Sequence, residues 1–395
     1  MYPKLSTVVV VFTAAFAVEM DGSHARAASL VNRLSAEFDD VVVYSHENHH
    51  QFPWTEDAKE AFRRRWPGVK LVTEPYTRSL GRVASLKNFA ISLFPKKAAQ
   101  LLRMRIPKAT PLFDELKTRA GAFVVSYKYA LSQLNGVDTS RCVVDTHDVL
   151  SLKWAKLEDV SPISTNVLRK LRGEIAALDA TSGVVAISPT EATFFRIMLS
   201  KATTFYVSSW DRPKAEMAVS PKTNRDFDFV FVASGYVMNA RGFCGMLARD
   251  GEWLSRYRIA VCGRICDDPD VIAAVAPFPS IELLGFVDKI EEVYARSKAA
   301  LVPVDGTGLK MKLISALASG LPAFASTQAF EGLPPGYDGA VFPINEAAVR
   351  TVLDDDQNLA EARVSAIRYH AIFNASGESD AAVSAIRSVL SLPSA

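Results

Sequence analysis

Short apolar runs alternate with amphipathic stretches along most of the chain. The clearest unit spans residues 301–332, where the apolar run LVPV precedes a turn that contains Gly306 and Gly308. A helical pattern follows, with apolar residues recurring on one face, and Gly320 and Pro322 end it. The short apolar run PAFAS comes next. The pattern predicts a strand, a glycine turn, a helix and a strand, which is one βαβ unit of a parallel sheet.

The start of that helix is suited to bind an anion. A helix N-terminus carries free backbone N–H groups and the positive end of the helix dipole. Lys310 and Lys312 place two cations in the first turn, where the dipole disfavours them, so we expect the lysines to face an anionic ligand. The alternative is an ordinary turn with solvated lysines. The spacing is neither that of a Walker loop nor G-x-G-x-x-G.

The same alternation begins near the N-terminus. The run VVVVFTAAFAV predicts a buried first strand rather than a signal-peptide core, because Glu19 and Asp21 follow it at once. Ser23 is expected to cap the helix that follows. No apolar stretch reaches the 18 or more residues that a membrane-spanning helix needs.

Recurring strands and helices over 395 residues predict an α/β protein of two facing Rossmann-like domains, each with a parallel sheet flanked by helices. Two prolines and few large apolar residues place the linker at 209–226. The predicted domains are residues 1–208 and residues 209–375. The last segment, 376–395, is predicted to be a helix that packs back on the N-terminal domain.

Charge divides the chain into two unlike halves. Residues 1–205 hold 27 Lys/Arg and 20 Asp/Glu, whereas the rest hold 18 and 23. Arg63, Arg64 and Arg65 form one basic segment, and residues 94–108 form another that lacks acidic residues. This asymmetry favours an anionic membrane surface as a partner, with a solvated basic face as the alternative. No nucleic-acid-binding motif stands out. We expect a cytoplasmic protein, peripheral at the inner face of the membrane.

Polar residues that follow the predicted strand CVV are candidates for chemistry. Asp145, His147 and Asp148 stand at its carboxyl end, where open α/β sheets bind their ligands. A histidine between two carboxylates can act in acid–base catalysis, or the group can be a structural Asp–His pair.

Two other clusters favour no metal site. His46, His49 and His50 are interpreted as a polar loop, with metal binding as the alternative. The four cysteines, at positions 142, 244, 262 and 266, have neither zinc-site nor disulfide spacing.

The second half of the chain resembles the nucleotide-binding half of glycosyltransferase family 4, the group 1 enzymes with the GT-B fold. The resemblance rests on the run IELLGFVDKIEEVYARSKAALVPVDGTGLKMKLISALASGLPAFASTQAFEGL. SGYVMNARG, VCGR, DTHDV and EIAALDATSGVVAISPTEA support it. It implies that residues 1–208 bind the acceptor and residues 209–375 bind the nucleotide sugar. It also implies transfer of a sugar from a nucleotide-diphosphate sugar to a saccharide or lipid-linked acceptor, with retention at the anomeric carbon and without a metal or cofactor. The context it implies is cell-surface polysaccharide or glycolipid synthesis.

The resemblance also implies roles for particular residues. The backbone of Gly285, Phe286 and Val287 would meet the base. The pyrophosphate would be held by Arg241, Arg264, Lys312 and the turn Gly306, Thr307 and Gly308, with Lys310 at the rim. Glu331 and Gly22 would face the donor. His147 would face the transferred sugar or the acceptor. We expect His147, Asp148 and Lys312 to be the catalytic residues.

One position departs from the family pattern. Ser315 stands where the family has a glutamate that grips the ribose hydroxyls. A serine can hold one hydroxyl but not two, so the donor is held more weakly, the donor differs, or turnover is lost. A catalytically silent nucleotide-sugar-binding protein and a GT-B nucleotide-sugar epimerase therefore remain alternatives to a transferase.

Overall fold

The computed structural model describes residues 6–18, 22–49, 51–75, 111–134, 136–211, 225–306 and 308–391. Thr307, His50 and the basic segment 94–108 lie outside the described residues. In the described part of the chain, no helix has the length and apolarity needed to cross a membrane.

The N-terminal domain is built on a seven-stranded parallel sheet of order β3-β2-β1-β4-β5-β6-β7. Its strands are β1 Thr7–Val11, β2 Val41–His46, β3 Lys70–Glu74, β4 Ala120–Ser126, β5 Cys142–Asp145, β6 Gly183–Ala186 and β7 Thr203–Tyr206. Its helices are α1 Gly22–Glu37, α2 Glu56–Arg65, α3 Pro111–Arg119, α4 Leu150–Leu157, α5 Thr165–Leu178 and α6 Pro189–Met198, with 3₁₀ turns at Lys128–Gln133 and Thr139–Arg141.

The C-terminal domain has a six-stranded parallel sheet of order β10-β9-β8-β11-β12-β13. Its strands are β8 Phe227–Val232, β9 Ile259–Cys262, β10 Ile281–Gly285, β11 Ser297–Val302, β12 Ala323–Ala325 and β13 Val341–Pro343. The helices of this half are α7 Val237–Leu254, α8 Pro269–Val275, α9 Ile290–Ala295, α10 Met311–Ala318, α11 Glu346–Leu353, α12 Asp356–Ala375 and α13 Ser379–Leu390, with 3₁₀ turns at Arg264–Asp267 and Thr327–Phe330. The expected α/β class with two parallel-sheet domains is confirmed.

Valine-rich strands form the centre of each domain because parallel sheets are covered by helices on both faces. Val8, Val9 and Val10 of β1 are fully buried, and β1 pairs with β2 on one side and β4 on the other. The predicted βαβ unit after residue 301 is present, since β11 and β12 pair in parallel with α10 between them.

The last helix, α13, crosses back to the first domain. Val383 and Ile386 are buried in the same apolar cluster as β1 and α1. Arg33 pairs with Asp380, so both apolar and charged contacts fix the helix there.

Several boundaries differ from the sequence expectations. Trp210 was placed in the linker, but it is fully buried in the core of the N-terminal domain. Ser23 was expected as an N-cap, but α1 already begins at Gly22. His46 was placed in a polar loop, but it is the buried last residue of β2, where its ring contacts Tyr44. In the described residues, no group of His, Cys, Asp and Glu is arranged to hold a metal.

Candidate functional site

The carboxyl edges of the two sheets meet at glycines, which bring the two domains into close contact. A Cβ placed on Gly22, at the start of α1, would lie 3.1 Å from Met311 Cβ, at the start of α10. A Cβ on Gly332 would lie 3.0 Å from Ser188 Cβ, across the same boundary. These edges are where open α/β sheets bind ligands, so the site lies between the domains.

The glycine turn after β11 is held together by Lys310. Its Nζ donates hydrogen bonds to the carbonyl oxygens of Gly306, at 2.9 Å, and of Gly308. The side chain is buried, and burial lowers its pKa to about 8. Lys310 precedes α10 as its N-cap residue rather than lying within the first turn. The expectation that Lys310 sits at the rim is therefore wrong, because its ammonium group closes the turn.

Lys312 lies inside the C-terminal domain, on the first turn of α10. Its Nζ donates to Asn239 Oδ1 at 2.5 Å and lies 5.5 Å from the ring centre of Phe231. Burial, and after it the neighbouring charge of Lys310, lower the pKa of Lys312 to about 7. A bound anion would favour the charged form of such a lysine and raise its pKa again.

Arg241 and Arg264 are both exposed at the same edge of the C-terminal domain. Arg241 is on the second turn of α7, and a Cβ on the adjacent Gly242 would collide with Pro303 O at 1.9 Å. Helix α7 is thus packed directly on the chain that leads into the glycine turn. Arg264 follows β9, and its main chain passes close to Gly235.

The segment after β10 borders the same edge. Gly285 has a positive φ of 71°, and its carbonyl accepts a hydrogen bond from Gly263 N–H at 2.7 Å. Phe286 is 58% exposed, while Val287 packs partly against the core of its domain. An exposed aromatic ring at this edge is suited to contact a planar base.

A buried ion pair anchors the opposing edge, at the end of β5. Asp145 is fully buried and accepts from Arg26 through Nε at 2.9 Å and Nη2 at 2.7 Å, and from Trp210 Nε1 at 3.0 Å. Burial is the largest single influence and would raise the pKa of Asp145. The charges of Arg26 and His147, together with the hydrogen bonds from Arg26 and Trp210, outweigh it, so the pKa is lowered. His147 Nε2 lies 3.8 Å from Asp145 Oδ2, so this carboxylate can orient the imidazole.

Asp148 faces the glycine turn from across the boundary. Its Oδ2 accepts from Lys153 Nζ at 2.5 Å, and a Cβ on Gly308 would lie 2.5 Å from its Oδ1. Burial raises the pKa of Asp148 even though Lys153 opposes the shift. Near Asp148, an ion pair joins the two domains, between Lys156 of the N-terminal domain and Asp305 of the C-terminal domain at 2.9 Å.

Glu191 is a buried carboxyl group beside Asp148. Burial raises its pKa to about 8, and the charge of Asp148 adds to the shift. Its Oε2 atom has no hydrogen-bond partner among the described residues. A carboxyl group in this position is largely protonated at neutral pH, and it lies 3.8 Å from the Cβ position of Gly308.

Two further candidates are on the exposed side of the site. Ser315 is exposed on α10, four residues after Met311, and Glu331 is exposed at the end of the 3₁₀ turn Thr327–Phe330. Glu331 is close enough to Lys310 to raise the pKa of that lysine. The structure thus brings five of the predicted site residues together at the domain boundary: Gly22, Gly306, Gly308, Lys310 and Asp148. Three more are exposed on adjoining segments of the C-terminal domain: Arg241, Arg264 and Phe286.

Sequence reasoning missed Asn239, Lys153 and Glu191. Glu191 follows Ser188 in the capping pattern S-x-x-E, and Ser188 Oγ does accept from Glu191 N at 3.2 Å. That pattern indicates a helix start and gives no sign that the carboxyl group is buried at a domain boundary. Asn239 lies within the quoted run SGYVMNARG, but only the structure shows that it accepts from Lys312.

Three solved structures of low sequence identity share this two-domain arrangement. HepE of Anabaena, in complex with UDP and glucose, is 14% identical with a TM-score of 0.59, and the match covers 98% of this chain and 99% of that chain. TarM of S. aureus, in complex with fondaparinux, alpha-GlcNAc-glycerol and UDP, is 8% identical with a TM-score of 0.61, covering 98% and 100%. WaaG, a glycosyltransferase involved in lipopolysaccharide biosynthesis, is 12% identical with a TM-score of 0.56, covering 92% and 95%.

The fold is the GT-B fold of glycosyltransferases, with two Rossmann-like domains that face each other across a cleft. Residues 228–362 match the family described as Glycosyl transferases group 1. This match lies within the C-terminal domain and confirms the resemblance to group 1 glycosyltransferases noted in the sequence. Among curated protein sequences, none matches the chain.

Proposed function

We propose that the protein is a glycosyltransferase that moves a sugar from a nucleotide-diphosphate sugar to a saccharide or lipid-linked acceptor. The C-terminal domain holds the donor, and the N-terminal domain supplies His147 and Asp148 beside the transferred sugar. Retention at the anomeric carbon follows from the family resemblance. The structures of HepE and TarM with UDP support a nucleotide-sugar donor.

The single observation that carries the proposal is the glycine turn at the start of α10, which is followed directly by Lys310 and Lys312. When the glycosidic bond to the donor breaks, the nucleoside diphosphate gains negative charge. Fixed cations and backbone N–H groups that face the diphosphate stabilise that charge without needing to reorganise. Lys312 and the N-terminus of α10 supply such groups, and Arg241 on α7 and Arg264 after β9 supply two more cations from the same domain.

The experiment is incubation of the purified protein with a panel of nucleotide-diphosphate sugars and saccharide acceptors. We expect nucleoside diphosphate release that increases with acceptor and a new glycoside with the donor's anomeric configuration. Release without a glycoside would show hydrolysis only. No turnover and no binding across the panel would contradict the proposal.

A nucleotide-sugar epimerase is a second candidate because the structure places two carboxyl groups, Asp148 and Glu191, at the cleft. An epimerase must remove and return a proton on the sugar ring, and paired carboxyl groups with raised pKa values can do so. Incubation in D₂O separates the two functions. An epimerase introduces deuterium into the sugar ring, whereas a transferase leaves the carbon-bound protons unchanged.

We further propose cell-surface polysaccharide or glycolipid synthesis as the context, with peripheral binding at the inner face of the cytoplasmic membrane. WaaG's part in lipopolysaccharide synthesis supports the context. Arg63, Arg64 and Arg65 are exposed at the end of α2, and each cation near an anionic surface contributes about 1 kcal/mol. Sedimentation with anionic vesicles at low and high salt tests the binding. No binding at low salt, or equal binding to neutral vesicles, would contradict it.

A further inference from the structure

Three aromatic rings form a stack at the carboxyl ends of β4 and β5. The ring centres of His147 and Tyr127 are 4.1 Å apart with an interplanar angle of 20°. Tyr127 and Tyr129 follow at 5.1 Å and 17°. Near-parallel rings at these separations are stacked, so the three side chains make one continuous aromatic surface, called here the Tyr129 stack.

The backbone under the stack is strained. Tyr127 has φ 66° and ψ 134°, a conformation that bulky residues rarely adopt, and His147 has φ 60°. Tyr127 is held on both sides, since its N–H donates to Asp145 O at 2.8 Å and its carbonyl accepts from Ala130 N–H at 3.0 Å. Such strain costs about 1–3 kcal/mol per residue and concentrates at binding and catalytic sites. Because two of the stacked residues adopt such a strained backbone, we interpret the stack as a binding surface rather than as incidental packing.

The Tyr129 stack leads from the donor site to solvent. Its inner member, His147, precedes Asp148, which contacts the glycine turn of the other domain. Its outer member, Tyr129, is 45% exposed, whereas Tyr127 between them is partly buried. A ligand on Tyr129 would therefore be separated from His147 by the ring of Tyr127.

Stacked tyrosine and histidine rings suit a saccharide. One face of a pyranose ring presents C–H groups that pack on an aromatic face, while the hydroxyls at the edge of the sugar point away from that face. We propose that the Tyr129 stack is the platform for the acceptor saccharide, with one sugar ring lying on Tyr129. This inference rests on the proposed transferase function and names the residues that select its acceptor.

The test measures the binding of four disaccharides (maltose, cellobiose, lactose and chitobiose) by saturation-transfer NMR in the absence of donor. We expect at least one of them to bind the wild-type protein. Tyr129→Ala should weaken that binding about fivefold or more, because a lost aromatic contact has an effect of this size. Tyr129→Phe, which keeps the ring, should bind as the wild type does. Ile197→Ala is the matched control, since Ile197 is 76% exposed on α6 of the same domain.

Three results would overturn the platform: no disaccharide binds, Tyr129→Ala binds like the wild type, or Tyr129→Phe loses binding as fully as Tyr129→Ala. Thermal melting of each variant checks that the fold is retained. Nucleoside diphosphate binding, measured on the same samples, separates this inference from the function it rests on. If the protein binds nucleotide but Tyr129→Ala leaves saccharide binding unchanged, the proposed platform is wrong and the proposed transferase function is unaffected. If saccharide binding depends on Tyr129 but the protein binds no nucleotide, the proposed transferase function is wrong and the saccharide platform is supported.

Discussion

Gly308 of the C-terminal domain lies directly against Asp148 of the N-terminal domain. A Cβ on Gly308 would stand 2.5 Å from Asp148 Oδ1, closer than real Cβ atoms approach other atoms. Gly308 also has a φ of +74°, which side chains rarely adopt. This glycine therefore meets two separate requirements, one for the shape of the turn and one for the closed contact between the domains.

Gly308→Ala should separate those domains and lower the transfer rate by at least about tenfold, because small displacements of reacting groups are costly. The positive φ should also lower the free energy of unfolding by about 1 kcal/mol. Gly136→Ala is the control, since Gly136 has the same φ of +74° and its Cβ would meet only the tip of Lys117, at 3.4 Å. Rates and melting curves of both variants check this. Equal rate losses in the two would show that strain, and not the domain contact, is responsible.

Glu191 should make stability depend on pH in the direction typical of a carboxyl group with a raised pKa. The folded-state pKa is about 8, above the ordinary 4.5, so the folded protein binds more protons than the unfolded chain between those values. Stability from this group is present at low pH and lost as pH rises toward 8. Glu191→Gln, which cannot ionise, should match the wild type in melting temperature near pH 5 and exceed it near pH 8.5.

The control for that variant is Glu60→Gln, on the exposed face of α2. Its melting temperature should follow the wild type at both pH values. A Glu191→Gln protein that loses stability equally at pH 5 and pH 8.5 would show that the carboxyl group is ionised and paired throughout.

Lys312 should take up a proton when a nucleoside diphosphate binds. Its pKa in the free protein is about 7, so at pH 8 it is mostly neutral. A bound diphosphate favours the charged form and raises that pKa, so binding should draw in a proton and weaken as pH rises from 7 to 9. Calorimetry at pH 8 in two buffers of different ionisation enthalpy measures the uptake. Lys312→Met should reduce it, and Lys201→Met, on an exposed lysine of the other domain, should not.

Uptake that is unchanged in Lys312→Met would assign the proton to another group, and Lys310 would then be the first to examine, since burial lowers its pKa to about 8. No uptake at all in the wild type would mean that Lys312 does not face the diphosphate.

Hydrophobic patterning was enough to predict the fold because parallel strands are apolar on both faces and their helices are apolar on one. The βαβ unit around Gly306 and Gly308 follows from local sequence alone. Trp210 shows the limit of that reasoning. It stands beside prolines and polar residues, yet its ring fills the first core and its Nε1 reaches Asp145, 65 residues away. Local composition carries no information about such a distant partner.

The candidate site was predictable only in part for the same reason. The spacing around Lys310 and Lys312 indicated a cationic turn, but not that Lys310 folds back onto the carbonyls of Gly306 and Gly308. Glu191 has the sequence signature of a helix cap, and its burial depends on the approach of the second domain. The roles assigned to these residues stay predictions until nucleotide binding is measured.

Ser315→Glu should tighten nucleotide binding. Ser315 is exposed on α10, so a glutamate can be accommodated there without disturbing the core. The family pattern has glutamate at this position to hold two ribose hydroxyls, and a charged acceptor strengthens such hydrogen bonds. Ser384→Glu, on the exposed face of α13, adds the same charge far from the turn and should leave affinity unchanged. Calorimetric affinity that stays equal or weakens in Ser315→Glu would contradict the alignment of this helix with the family.

The most direct measurement is the initial rate of nucleoside diphosphate release in the presence of acceptor, for the wild type, Lys312→Ala and Lys201→Ala. Lys312, on the first turn of α10, donates a hydrogen bond to Asn239 of α7. We expect its contact with the diphosphate to strengthen as that leaving group gains negative charge. We expect the wild type and Lys201→Ala to release diphosphate at the same rate and Lys312→Ala to be slower by about a hundredfold or more, with its melting temperature unchanged or raised. A Lys312→Ala rate within a fewfold of the wild type, or a loss explained by unfolding, would contradict the account.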